Sequence, residues 1–487
     1  MDFDRRDEFD SIDRRSSDQA LSNSTSRNKE RRLISPPPEA NGDEQLERSL
    51  GLLGALAIGI GTMIGAGIFV FPGIAAGRAG MAATLSFGLG AVIALIVALA
   101  TSELATAMPE SGGGYYFVSR GLGFFWGTIV GLGQWFGLVF ASAFYLAGFG
   151  HYFRRTLVAF GVDPGIPAYV LGIGMGVLIT LINVFGTENS GGFQNLIVTS
   201  LLLILLFFLG YGVLNVLGFI GKTAPSEQFA PEGYLPVFTT AALVFTSYLG
   251  FGQIATVAGE ISEPSYNLPL AMVGSVLVVG VMYVTAVFVS TRVFGSARLA
   301  EFGETAMVEV ARSFFGKFGA LGMTVAGLLA TVSSANASVL SSSRALYALS
   351  KDRIMPRAIA KINRTFNTPH RSLLLTSVGI IGFLSIGGLE LLAEVASLLH
   401  LVMYGLMCFS LVWLAYRSPD WYEPDFFMWG RPYLPAFGGV CSFLLIGFMN
   451  PRSIQLGFLL SVVAVIWYFI QQVTGGRETT TDGVNNQ

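Results

Sequence analysis

Between Gly51 and about Val473 the chain is a succession of long apolar segments separated by short polar ones. A helix crossing the hydrocarbon core of a bilayer needs about 20 apolar residues. Twelve stretches qualify, near residues 52–76, 82–107, 122–150, 167–186, 193–219, 235–258, 268–294, 318–349, 372–388, 392–416, 433–449 and 454–473. Lipid offers no partner to a backbone N–H or C=O, so each is expected to be an α-helix. Composition agrees. The 487 residues are 52% hydrophobic and 12% charged, about half the roughly 25% charge of a soluble domain. The chain reads as an all-α, polytopic integral membrane protein whose surface is solvated by lipid.

Residues 1–48 differ from the rest: they are rich in Asp, Arg, Ser and Asn and carry Pro36-Pro37-Pro38. Such a segment buries too little apolar surface to fold alone and is expected to be a disordered tail. It lacks the regions of a signal peptide, so the first apolar segment is expected to stay as an anchor. With the N-terminus in the cytoplasm and twelve spans threaded, twenty of the 29 Lys and Arg fall inside. They include nine in the tail, seven from Arg344 to Arg371, and Arg120, Arg417, Arg431 and Arg477. The positive-inside rule therefore favours both termini in the cytoplasm, in the plasma membrane. The net charge of −2 points to no nucleic-acid partner. Cys408 and Cys441 lie far apart in apolar runs and form no CxxC pair, and the three histidines are scattered. Neither a disulfide framework nor a metal cluster has support. Nothing distinguishes a monomer from a homodimer.

The first span reads Gly59-Ile60-Gly61-Thr62-Met63-Ile64-Gly65-Ala66-Gly67-Ile68-Phe69, with Pro72 following. Glycine inside a helix costs nearly 1 kcal/mol relative to alanine, and four lie within nine residues. A helix broken at Gly65–Gly67 leaves free N–H groups, and the positive end of a half-helix dipole, at the start of its second half. That is an anion site suited to a substrate carboxylate. The same glycines match GxxxG, which only lets helices pack closely, and on this segment alone the two readings stand level. The sixth span, Phe245-Thr246-Ser247-Tyr248-Leu249-Gly250-Phe251-Gly252-Gln253, is again interrupted by glycine at mid-depth. Two interrupted helices five spans apart mark an inverted-repeat transporter, whose substrate site lies where they meet.

These residues resemble a known family. Gly61-Thr62-Met63-Ile64-Gly65-Ala66-Gly67-Ile68-Phe69 resembles the first-helix signature of the amino acid–polyamine–organocation permeases. Ser102-Glu103-Leu104-Ala105, Pro109-Glu110-Ser111-Gly112-Gly113 and Tyr115-Tyr116 resemble their second helix and following loop. Gly250-Phe251, Gly259-Glu260 and Pro264 through Leu268-Pro269 match the sixth helix and its loop. Ser343-Arg344 through Lys351-Asp352 and Met355-Pro356 resemble the end of the eighth. The resemblance implies a five-plus-five inverted repeat of the leucine-transporter type with two added helices. That division places the first repeat at 49–220, the second at 235–416, and helices 11 and 12 with a short tail at 417–487. It further implies an amino acid or polyamine as cargo. The substrate carboxylate would rest on the amides of Gly65, Ala66, Gly67 and Ile68, beside Ile64, and the amino group on carbonyls of Phe245, Thr246 and Tyr248, beside Gly250. Two departures bear on coupling. Gly252 stands where many members carry Asp, and Thr199-Ser200-Leu201-Leu202 lacks the lysine that some proton-coupled relatives use.

Ala330, Ser333 and Ser334 share one helical face at i, i+3 and i+4. Sodium-coupled relatives use this spacing together with two first-helix carbonyls, here Gly61 and Ile64. A sodium ion on these five groups is one expectation, and small hydroxyls that merely let helices pack are the other. Glu103 is a second coupling candidate, as a proton carrier, against a structural acceptor role near the cytoplasmic gate. His400 is weighed as a titrating group against a neutral packed histidine. Trp135, Tyr145, Phe245, Tyr248 and Phe251 are candidate gates. The reading is a secondary transporter of amino acids with an uncharged pocket, hence neutral ones, with no catalytic residues and no cofactor beyond a coupling sodium ion or proton. Its rivals are an exchanger without ion coupling, a membrane nutrient sensor, a multipass enzyme and a channel.

Overall fold

The computed structural model describes residues 48, 50–110, 112–162, 165–185, 190–220, 228–363 and 368–481. Apart from Arg48, the tail at 1–48 lies outside the described residues, as do Lys222 and Arg364 of the charge count. The first apolar segment holds two helices, α1 (Leu52–Ile64) and α2 (Gly67–Ala79), followed by α3 (Ala83–Ala107). A short α4 (Gly114–Leu122) leads into α5 (Phe124–Ala159), then α6 (Ala168–Phe185) and α7 (Ser190–Val216). The sixth apolar segment is again divided, into α8 (Leu235–Val244) and α9 (Phe251–Thr256), with a 3-10 turn at Phe245–Tyr248 between them. After it come α10 (Pro264–Phe294), α11 (Ser296–Phe302), α12 (Ala306–Lys351), α13 (His370–Ile386), α14 (Leu389–Arg417), α15 (Tyr433–Ile446) and α16 (Pro451–Thr481). Among the described residues there is no strand, only an isolated parallel bridge between Leu50 and Ile261.

Nine helical stretches among the described residues are long and apolar enough to cross a membrane, and two further apolar helices, α13 and α15, are shorter. Burial sorts them into layers. The most apolar windows of α5 and α14 are 83% buried and that of the α8–α9 stretch 72%, against 28% for α6 and 17% for α16. The divided helices therefore sit in the middle, and α6 and α16 face outward with large apolar side chains such as Phe185, Phe458 and Phe469 exposed. In water such a surface would drive aggregation; against lipid it is the expected finish.

Inside the bundle, small hydroxyls return to their own helix. Thr101 donates to the Val97 carbonyl, Ser102 to Ala98, Ser142 to Leu138 and Ser290 to Ala286, at 2.7–2.8 Å. This satisfies polar side chains without a partner helix and lets the backbones approach.

Four elements depart from the sequence expectation. α5 runs nine residues beyond the expected end at 150, so hydropathy marks where the apolar part stops rather than where the helix does. α12 begins at Ala306 and kinks at Phe315 and Gly316 (φ −126° and 60°) before the expected start at 318. α4 and α11 join spans and were expected as loops; at nine and seven residues they carry too few turns to show a helical period.

Candidate functional site

The break in the first segment falls at Gly65 and Ala66, between the end of α1 and the start of α2. An α-helix leaves its first four N–H groups and last four C=O groups without intrahelical partners, so the break exposes one set of each. On the donor side, the Phe69 and Val70 amides bond back to the Ala66 carbonyl at 3.1 and 2.9 Å. Among the described residues the amides of Gly65, Ala66, Gly67 and Ile68 find no backbone acceptor. These are the four expected at a carboxylate site.

On the acceptor side, three successive carbonyls of α1 each receive a hydroxyl from a different helix. Ser334 of α12 donates to Gly61 at 3.0 Å and lies 3.5 Å from the Thr62 oxygen. Tyr145 of α5 donates to Thr62 at 3.3 Å. Tyr283 of α10 donates to Met63 at 2.8 Å. Leaving a buried carbonyl unpaired costs about 1–3 kcal/mol, so the three hydroxyls hold the end of the half-helix in place.

Glycine is required where this centre is tightest. A methyl on Gly67 would fall 2.2 Å from Ser247 Oγ and 2.5 Å from Tyr283 Oη. One on Gly250 would fall 2.7 Å from the Gly59 carbonyl oxygen and the Met63 nitrogen. Gly250 is thus the point where the second divided helix crosses the first, a close backbone approach that a side chain would prevent. The crossing is reinforced at the far end of α9. There the Leu50 amide donates to Glu260 at 3.0 Å and the Ser262 amide to Leu50 at 2.9 Å.

The second break tightens into i→i−3 bonds: Leu249 to Thr246 at 3.4 Å, Gly252 to Leu249 at 3.2 Å and Gln253 to Gly250 at 3.0 Å. Its side chains reach across the bundle. Thr246 Oγ1 bonds the Ala393 carbonyl and Ser397 of α14. Tyr248 donates to the Phe87 carbonyl of α3 at 2.9 Å. Tyr404 of α14 donates to the Leu249 carbonyl at 3.0 Å and stacks on Phe251 at 4.9 Å. Met63, Ile64, Ala66, Ile68, Phe245, Thr246, Tyr248 and Phe251 are fully buried, so both breaks are closed to solvent in this conformation.

Of the candidate cation ligands, Gly61 and Ser334 are in direct contact, and Ala330, Ser333 and Ile64 are buried on the same two helices. The added carbonyl within reach is that of Thr62. The donors are hydroxyls and carbonyls, oxygen ligands of the kind hard cations take. In this conformation the Ser334 hydroxyl satisfies the Gly61 carbonyl by itself.

Other candidates are placed elsewhere. Trp135 points its indole N–H at Thr376 of α13, at 3.1 Å, and does not line the breaks. His400 is buried with its Nδ1 2.9 Å from the Ala396 carbonyl of its own helix, the geometry of a packed histidine. Glu103 accepts the Met428 amide at 2.8 Å and the Tyr422 hydroxyl at 3.3 Å and pairs with Arg431. These contacts form a clamp on the segment joining α14 to α15, the structural-acceptor geometry set beside proton carriage above. Burial, and then the adjoining Glu103, raise the Tyr422 phenol well above its usual range, so it remains a donor. At the opposite end of the bundle Glu394 accepts Ser453 Oγ at 2.6 Å and the Asn450 amide at 3.2 Å, with Arg78 of α2 at 3.6 Å.

Sequence reasoning missed Tyr283, Ser247 and Tyr404. Tyr283 and Tyr404 are ordinary residues of apolar runs that only the fold brings to a break, and Ser247, within the second break, is set against Gly67 of the first only by the fold.

Comparison with known proteins follows the same residues. The profile of a family described as "Amino acid permease" matches residues 50–470. The chain is similar to a branched-chain amino acid permease of Bacillus subtilis (strain 168), 27% identical over 455 residues, covering 88% of this chain and 92% of the relative. It is similar to a methylthioribose transporter of the same organism, 27% identical over 446 residues, covering 88% and 94%. It is also similar to a serine/threonine exchanger of that organism, 25% identical over 439 residues, covering 88% and 97%.

Proposed function

The chain belongs to the amino acid permease family, within the amino acid–polyamine–organocation superfamily, as a multi-pass membrane transporter and not an enzyme. From that premise we propose that it carries neutral amino acids across the plasma membrane by alternating access, as a secondary transporter. The observation that supports this most is the meeting of two divided helices at Gly59, Met63 and Gly250, beside amides that find no backbone acceptor among the described residues. A carboxylate is the group those amides and the positive end of α2 would attract. The carbonyls of the 3-10 turn at Phe245, Thr246 and Tyr248 would accept from the amino group. The side chains nearest the breaks (Tyr145, Ser247, Phe245, Tyr248, Tyr283 and Ser334) are uncharged, which suits a neutral side chain. Branched-chain amino acids, serine and threonine, which appear in two of the relatives' names, are of that kind.

The proposed frame is twelve spans with cytoplasmic termini, α1–α7 forming one repeat and α8–α14 its inverted counterpart. Movement of one repeat against the other would open the closed site to each side in turn. Sodium would be held by Gly61, Ile64, Ala330, Ser333 and Ser334, where its charge would attract the same carbonyls that Ser334 now caps. A second reading, exchange without ion coupling, is favoured by that same Ser334–Gly61 bond, because a hydroxyl already does what the ion would do.

Uptake of labelled amino acids into proteoliposomes tests both. Accumulation driven by an inward sodium gradient, and abolished by Ser333→Ala with Ser334→Ala, is expected for the coupled transporter. Counterflow without any gradient identifies the exchanger, and accumulation on a proton gradient alone moves the coupling role to Glu103. Ligand binding without uptake would leave a sensor in place of a transporter.

A further inference from the structure

A groove of about 740 Å³ lies away from both breaks, at the arginine-rich end of the bundle. Its walls come from three elements: Leu122 at the end of α4; Phe409, Val412, Trp413 and Tyr416 on α14; and Arg431 with Pro432 leading into α15. The α14 residues 409, 412, 413 and 416 follow i, i+3, i+4 and i+7 spacing, so they form one stripe. Arg417 extends it by one position. Along the stripe the chemistry changes in order, from apolar at Phe409 and Val412, to interfacial aromatics at Trp413 and Tyr416, to a guanidinium at the mouth. Trp and Tyr collect at the level of lipid headgroups, which sets the depth of the mouth.

Charge at the mouth is available. Arg417 has no carboxylate within ion-pair distance among the described residues, and its guanidinium lies 4.8 Å from the centre of the ring of Trp413, itself a residue of the groove wall. Arg431 pairs with Glu103, lies 4.8 Å from the Phe427 ring and lines the groove. Asp425 accepts from Ser265, and among the described residues neither Asp420 nor Glu423 pairs with an arginine. An apolar trough with Arg431, shared with Glu103, in its wall and Arg417 against its Trp413 matches a molecule that is apolar along most of its length and anionic at one end.

We propose that this groove is a binding site for one anionic phospholipid of the leaflet at the arginine-rich end, with its phosphate on Arg417 and Arg431 and an acyl chain along Val412 and Phe409. A free phosphate would have no use for the apolar wall, and a zwitterionic lipid would bring its own cation to the two arginines. Because Arg431 also holds Glu103 of α3, lipid in the groove would steady the α14–α15 segment against that helix.

The test is native mass spectrometry on the purified full-length protein, titrated with phosphatidylglycerol or phosphatidylethanolamine of the same acyl chains. One phosphatidylglycerol should be retained under activation that strips phosphatidylethanolamine, and it should raise the thermal midpoint. Arg417→Gln should weaken that binding about fivefold, equivalent to the about 1 kcal/mol that an arginine contributes at an anionic surface. Arg357→Gln, an exposed arginine outside the groove, should leave it unchanged. Equal retention of the two lipids, or full binding by Arg417→Gln, would overturn the site. So would an equal loss in Arg357→Gln, which means diffuse charge, or competition by glycerol phosphate as strong as by lipid, which means an anion site alone. Arg417→Gln is exposed, and its midpoint in phosphatidylethanolamine, compared with that of the parent chain, reports folding separately.

Discussion

Single atoms decide how the first break behaves. At Gly67 a methyl has no room, with Ser247 Oγ at 2.2 Å from where it would sit. Gly67→Ala must therefore displace the first turn of α2, an overpacking of about 1–3 kcal/mol. The expected outcome is at least a tenfold fall in uptake with the protein still folded, read by proteoliposome transport beside thermal unfolding; unimpaired uptake would separate the break from substrate handling. Ser334→Ala leaves the Gly61 carbonyl short of a donor, a loss of about 1–3 kcal/mol, and should lower the unfolding midpoint whether or not sodium is involved. A sodium dependence that disappears in the same variant would add the coupling role. Helical spacing set Ser334 on one face with Ala330 and Ser333, and the family resemblance matched that face to the first helix. It could not find Tyr283, which lies 220 residues from Met63 and looks like any aromatic in an apolar run.

Among the elements, the divided helices were legible because glycine inside an apolar run is costly and needs a cause. The α14–α15 segment was not, because its place is set by one buried carboxylate in another span. Glu103→Gln removes the charge that holds Arg431 and weakens the acceptor for the Met428 amide. Hydrogen exchange in residues 419–432 should then quicken, read on peptides from that segment, with the rest of α3 unchanged. Unaltered exchange would mean that other contacts hold the segment. The kink at Phe315 and Gly316 and the short helices α4 and α11 also escaped the sequence, since hydropathy reports the apolar stretch and not the chain's direction on leaving it.

For the whole molecule, the proposed twelve crossings would place Glu232 and Arg357 on opposite sides, with three spans between them. Cysteines introduced at these two exposed positions, in a background lacking Cys408 and Cys441, should be labelled by a membrane-impermeant reagent from opposite faces: Glu232→Cys from outside and Arg357→Cys from the cytoplasm. Labelling of both from one face would remove the twelve-span arrangement. The sequence by itself determined the solvent, the helical class and the two breaks, because lipid forbids unpaired backbone and glycine inside an apolar helix is unfavourable wherever it falls, and its motifs carried the family resemblance. Only the tertiary structure decided which hydroxyl caps which carbonyl, that Gly250 is a crossing point, that Trp135 turns away and that Glu103 grips a distant segment. Those contacts join residues far apart in the chain, and a side chain's partner across a bundle depends on how the helices are rotated and packed, which no local pattern encodes.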